Sequence, residues 1–181
     1  GLLLTQPPRR ALAATLVVTS TADIGDGSLR AAIAGAVAGD TISFNLSYPA
    51  TITLTSGVLL IDKNLTIDGP GAHLLTVSGN NASRVFLIRC GVTATISGLT
   101  VANGQVVSSV GGGIRNSGTL TVIECTVSGN SASNAGGIYN AGTLTVLRST
   151  LSGNTADFSG DGGGILNDGI SLTLTNSTIS N

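Results

Sequence analysis

Residues Gly112–Asn130, GGIRNSGTLTVIECTVSGN, align without a gap with Gly136–Asn154, GGIYNAGTLTVLRSTLSGN, at an offset of 24 residues. A third copy, GGILNDGISLTLTNSTISN, starts at Gly163 and needs one inserted residue. A divergent earlier copy, FLIRCGVTATISGLTVANG, covers Phe86–Gly104 at an offset of 26. Each copy holds three short alternating runs, Gly-Ile-x-Asn, Thr-Leu-Thr-Val and Ser/Cys-Thr-Val/Leu-Ser, parted by Gly, Asn or Ser. A period of two, β-branched residues and lengths of about four residues suit strands and not helices. Three strands and three corners per repeat describe one coil of a three-sided solenoid, with parallel strands stacking roughly 4.8 Å apart.

Stacked coils place like on like. Ile114, Ile138 and Ile165 form one apolar column, and Leu120, Leu144 and Leu172 a second. Val122, Val146 and Leu174 form a third, and Val127, Leu151 and Ile179 a fourth. These columns are the expected core. Between them, Thr121/Thr145/Thr173 and Thr126/Thr150/Thr178 face outward as hydroxyl ladders. Asn116, Asn140 and Asn167 recur at a corner, where left-handed backbone and amide pairing between coils are expected.

Upstream, Thr51–Leu54, Val58–Ile61 and Asn64–Ile67 supply an earlier coil. Asp68–Arg84 makes a long corner with a strand near His73–Val77. Ser28–Val37 is the one helical segment: Ser28 caps it, and Leu29, Ile33 and Val37 share a face. Laid over the first coil, this helix protects the sheet edges there. The chain thus divides into an arm and first strand (1–19), a capping helix and leading strand (20–50), and the coils (51–181).

Ala22–Phe44, AD-x-GDGSLRAAIAGAVAGDTISF, Lys63–Ala72, KNLTIDGPGA, and the GGGIxNxGTLTVxxSTxSGN repeats together resemble bacterial secreted right-handed parallel β-helix proteins. These include surface proteins with polymorphic outer-membrane-protein-like repeats, within the pectate-lyase-like superfamily. The resemblance covers most of the chain and implies an all-β, right-handed, three-sided parallel β-helix with a short N-terminal capping helix. It implies a secreted, bacterial cell-surface setting. The superfamily holds lyases, hydrolases, adhesins and passive stalks, so activity has to be read from the site.

The chain of 181 residues has a net charge of −1, 9% charged residues, 3% aromatics and 26 glycines. Its hydrophobic fraction of 41% argues against disorder. Arg9-Arg10 is the only basic run, too little for a nucleic-acid surface. Every Val/Leu/Ile run is broken within a few positions, well short of the roughly 20 residues of a membrane span. Cys90 and Cys125 fall at different corners and are not expected to pair.

Glycoside hydrolysis needs two carboxylates at a set separation around a cleft. Glu124 is followed in its column by Arg148 and then Asn176, which reads as a surface ion pair. Asp157, Asp161 and Asp168 are the candidate oxygen ligands for Ca²⁺, yet GDGGG occurs once and not as a repeated calcium motif. Aspartates in glycine-rich corners ordinarily form turns. No metal, cofactor or catalytic residue is therefore assigned. Arg89 and Arg115 are expected to stack, with Arg115 over Tyr139 as a cation–π contact. His73, the only histidine, reads as a loop residue and Cys125 as a small buried filler.

The last copy stops at Ile179-Ser180-Asn181 with no closing helix, which leaves a bare sheet edge around Leu174, Ile179 and Asn181. At the other end Leu2, Leu3 and Leu4 precede Pro7-Pro8 as an apolar arm, and the leading Gly fits a processed, exported product. These features point to head-to-tail association of the chain with itself into an extracellular filament. Surface glycans are a second partner class. The alternatives are a polysaccharide-active lyase or hydrolase, or a truncated adhesin stalk.

Overall fold

The computed structural model describes residues 13–156 and 161–180. The chain starts as β1 (Thr15–Val18), makes the helix α1 (Leu29–Gly35) and returns as β2 (Asp40–Phe44), parallel to β1. The next circuit is β3 (Ala50–Thr53), β4 (Leu59–Ile61) and β5 (Leu65–Asp68). It is followed by β6 (Leu75–Ser78), β7 (Phe86–Ile88) and β8 (Thr93–Ser97). Four-strand circuits then begin: β9 (Thr100–Ala102), β10 (Gln105–Val110), β11 (Ile114–Asn116) and β12 (Thr119–Ile123). The next holds β13 (Thr126–Ser128), β14 (Ser131–Asn134), β15 (Ile138–Asn140) and β16 (Thr143–Leu147). The last holds β17 (Thr150–Ser152), β18 (Thr155–Ala156), β19 (Ile165–Asn167) and β20 (Ser171–Thr175), after which β21 (Thr178–Ser180) begins another.

The result is an all-β parallel solenoid of about 6 turns with one short helix. Its first sheet runs β1-β2-β5-β8-β12-β16-β20, its second β3-β6-β9-β13-β17-β21 and its third β4-β7-β11-β15-β19. A short fourth sheet, β10-β14-β18, occupies what the repeat pattern presents as a corner. Small residues make that extra side possible. Ala132 points inward, fully buried, between its register partners Val106 and Ala156.

The predicted columns stand in register: Ile114↔Ile138↔Ile165, Leu120↔Leu144↔Leu172, Val122↔Val146↔Leu174 and Val127↔Leu151↔Ile179. Up to Ile165 and Leu172 these columns, together with Phe86, Ile96 and Val101, build one continuous core. The outward threonine column of the first sheet runs through all seven strands, from Thr15 through Thr41, Thr66, Thr95, Thr121 and Thr145 to Thr173. Threonine suits that face because its branched Cβ favours strand backbone and its hydroxyl meets water.

Three expectations need correction. The helix ends at Gly35, and Val37 is 49% exposed instead of sharing the face of Leu29 and Ile33. Ala36 turns extended (φ −65°, ψ 151°), and the Asp40 carboxylate takes the Val37 amide at 2.8 Å, which draws the chain off the helix. Arg89 does not stack on Arg115, whose partner is Leu87, and the residue beside Asn116 is Ile88. The β7–β8 corner spends four residues, Arg89–Val92, where the β11–β12 corner spends two, and Val92 is buried. A gapless alignment therefore slips by two residues on the third sheet while holding on the first. Finally, Asn116, Asn140 and Asn167 end strands and have no left-handed backbone. Gly98 (φ 58°), Glu124 (52°), Arg148 (46°) and Asn176 (50°) have it instead, each following a strand of the first sheet.

The asparagine ladder itself forms. Asn116 Nδ2 donates to Asn140 Oδ1 at 2.7 Å, and Asn140 Nδ2 to Asn167 Oδ1 at 2.6 Å. A second ladder, which the sequence reading missed, joins Asn130 Nδ2 to Asn154 Oδ1 at 2.9 Å beside the fourth sheet. Its members also accept or donate to backbone: Gly104 N donates to Asn130 Oδ1, and Asn154 Nδ2 donates to Val127 O. Buried amides with every partner supplied fix one coil's position on the next.

Candidate functional site

Ser28 Oγ accepts from Ala31 N at 3.1 Å, the cap its position predicts. Beside it, Asp23 holds the helix to the first coil. Its Oδ1 accepts from Arg30 Nε (3.0 Å) and Nη2 (2.8 Å), and its Oδ2 from the amides of Thr55 (2.9 Å) and Ser56 (2.7 Å). Arg30 spends two further donors on the carbonyls of Gly57 and Val58. Burial alone pushes the Asp23 carboxyl up, but the Thr55 and Ser56 amides and the Arg30 guanidinium outweigh it and hold it below its ordinary value. Asp40 is held low likewise by the amides of Ala14 and Val37, which close the first circuit. Both aspartates are thus committed to architecture, and Glu124 meets Arg148 Nε at 2.9 Å on the exposed corner as expected.

Two of the three carboxylates proposed as calcium ligands, Asp161 and Asp168, lie in the described residues. Asp161 is exposed, and its carbonyl accepts from Ala135 N. Burial first, and then the neighbouring Asp168 carboxylate, raise the pKa of the Tyr139 phenol, while Asp168 N donates to Asn140 O. Asp157 lies outside the described residues. Among the described residues no three His, Cys, Asp or Glu side chains gather closely enough to hold a metal ion.

Two grooves are polar. One of about 720 Å³ is lined by Thr19, Ser20, Thr21, Asn45, Ser47 and Thr51. Another, of about 400 Å³, runs along the corner beside His73, Glu124, Arg148, Thr126 and Thr150, with Cys125 at its floor. Its one carboxylate is the ion-paired Glu124. The Cys125 thiol is 2% exposed, and burial pushes its pKa up to about 11, as befits a filler. Its amide donates to Ser149 Oγ, and Ser149 N donates to Ser177 Oγ, so the column is closed by its own polar atoms. Cys90 is exposed and both cysteines are free.

On the third sheet, Arg115 lies over the Tyr139 ring at 6.0 Å, the expected contact. Next to it is a residue that the sequence reading passed over, Arg84, only 9% exposed. Arg84 Nε donates to Gly111 O (2.8 Å), and Nη2 donates to Val110 O (2.6 Å) and Ser109 Oγ (3.2 Å). The only signal for it in the sequence is an arginine placed immediately before a buried strand, at Arg84-Val85-Phe86.

At the face formed by β19, β20 and β21, the core columns come to the surface. Leu174 and Ile179 are each 45% exposed, whereas Val146 and Leu151, one coil below, are fully buried. Leu2, Leu3, Leu4 and Asn181, the other residues expected in self-assembly, lie outside the described residues. No helix of the described residues is long and apolar enough to cross a membrane. No family model, no curated protein and no solved structure matches the chain.

Proposed function

We propose that this chain is a non-catalytic structural protein of the bacterial cell surface, a right-handed β-helix of the pectate-lyase-like kind. Its coils stack on those of further copies to make an extracellular filament. The observation that carries this reading is the residue-for-residue register in which successive coils stack, Leu120↔Leu144↔Leu172 and Val127↔Leu151↔Ile179, so that the upper face of one coil fits the lower face of the next. A β-solenoid coil contacts only its two neighbours, so that face matches one occupant in shape and register, another coil of the same kind. A coil of a second copy meets that requirement as well as a coil of the same chain does. The commitment of Asp23, Asp40 and Glu124 to structural bonds supports a scaffold role, and the motifs around Gly25–Phe44 and the Gly-Thr-Leu-Thr-Val repeats support the surface setting.

Negative-stain electron microscopy and sedimentation of the chain over a range of concentrations test it. Filaments lengthening with concentration, and lost in Leu174→Lys/Ile179→Lys with circular dichroism unchanged, are expected. Single particles at high concentration, or filaments indifferent to the double substitution, overturn the reading.

A further inference from the structure

The ion pairs among the described residues are Arg30–Asp23, Lys63–Asp62 and Arg148–Glu124. Arg84 and Arg115 belong to none of them. The fold nonetheless brings these two cations together beside one turn. Arg84 reaches up from the coil below and is pinned by the carbonyls of Val110 and Gly111. Arg115 projects outward from β11, and the turn folds back towards it. A Cβ on Gly111 (φ 68°) would fall 2.5 Å from Ile114 O and 3.0 Å from Tyr139 Cβ, so only glycine admits that approach.

The donors left over decide the chemistry. Arg115 Nε is buried and has no hydrogen-bond partner among the described residues. Arg84 uses Nε and Nη2 on the turn and makes no bond through Nη1 among the described residues. The Arg84 guanidinium's pKa is pushed down, first by burial and then by repulsion from Arg115, as expected of two cations sharing one partly dry corner. The neighbouring carboxylate, Asp168, lies towards the Tyr139 hydroxyl and makes no ion pair with either arginine among the described residues; holding the like charges together is costly, and an anion relieves both the repulsion and the orphaned N–H. Guanidinium forks match the paired oxygens of carboxylate, sulfate and phosphate groups, and Tyr139 supplies the floor.

We propose that Arg84 and Arg115, above Tyr139 and beside the Ser109–Gly111 turn, bind an oxyanion, either free or carried on an acidic polymer. Nothing in this site depends on coil-to-coil association, so it stands or falls separately from the filament.

The test is a titration of the ¹⁵N-labelled chain with sodium sulfate at constant ionic strength, following the arginine Nε–Hε signals by NMR. A second arm uses dextran sulfate, with neutral dextran as control. Saturable shifts of the Arg115 and Arg84 signals are expected, weakened at least tenfold in Arg115→Gln and unchanged in Arg148→Gln. Arg115→Gln is expected to fold, since its column neighbours Leu87 and Tyr139 show that the position does not require arginine. Saturation by sulfate alone identifies a free ion as ligand, and saturation at far lower sulfate-group concentration with the polymer identifies a polymer-borne group. Linear, unsaturable shifts with both probes, or equal titration of Arg115→Gln, overturn the proposal.

Discussion

Replacing Asp23 by Asn removes the carboxylate that ties Arg30 of α1 to the amides of Thr55 and Ser56. The Asp23 side chain is 2% exposed and that of Arg30 25%. The substitution leaves a half-buried guanidinium without its carboxylate and turns an amide NH₂ towards a site built for N–H donors from Thr55 and Ser56. Breaking a buried pair from one side costs about 3–5 kcal/mol, and the partial exposure of Arg30 puts this case near ~3 kcal/mol. For a chain of this size that lowers the melting midpoint by roughly 6–12 °C. The loss is local first, because coils contact only their neighbours. Hydrogen exchange should therefore show the amides of Leu29–Gly35, Thr55 and Ser56 losing protection before those of β12 and β16. The sign of the pH dependence follows from the direction of the shift. The Asp23 carboxyl titrates below its ordinary 3.8 in the folded chain, so its contribution is complete above that pH and is lost as pH falls through the folded value. Wild type and Asp23→Asn should therefore differ most at neutral pH and converge on acidification. A variant melting within about 2 °C of wild type at pH 7, with Thr55 and Ser56 still protected, refutes the clamp.

Asn140→Ala removes the middle rung of the corner ladder: the buried Gly142 N loses its acceptor, while Asn116 Nδ2 keeps the carbonyl of Thr143. Denaturant unfolding should show a loss of about 1–3 kcal/mol, the cost of one orphaned buried group. Thiol titration at pH 8 should modify Cys90 at once and spare Cys125 until the chain unfolds. Cys125→Ser should cost no more than ~1 kcal/mol, because serine already fills that column at Ser149 and Ser177. Two rapidly reacting thiols in the folded chain would contradict the buried column.

The repeats Gly112–Asn130 and Gly136–Asn154 made the solenoid legible because β-sheet register turns sequence offset directly into spatial contact. The same logic failed between β7 and β11, where a buried Val92 lengthens one corner and moves Arg89 out of the Arg115 column. Corner length is set by local backbone, not by the periodicity of the strands. The fourth sheet escaped notice because Ser131–Asn134 reads as turn chemistry; its strand character comes from pairing with coils above and below. Arg84 and its turn were invisible for a related reason. The partners of Arg84, a serine hydroxyl and two carbonyls, lie 25 to 27 residues away and are fixed only once the coils are wound.

The matched register of β12, β16 and β20 makes the repeat an interchangeable link. Excising Gly112–Ala135 as a block would bring Ile88 of one coil against Asn140 and Thr93 against Thr143, a seam as continuous along the first sheet as the one it replaces. Gene segments of this length can thus be duplicated or dropped by unequal exchange with the backbone ladder intact. Each such event changes the rod by one step of roughly 4.8 Å. The chain carries its own ruler, and its length is open to drift in units of a single coil.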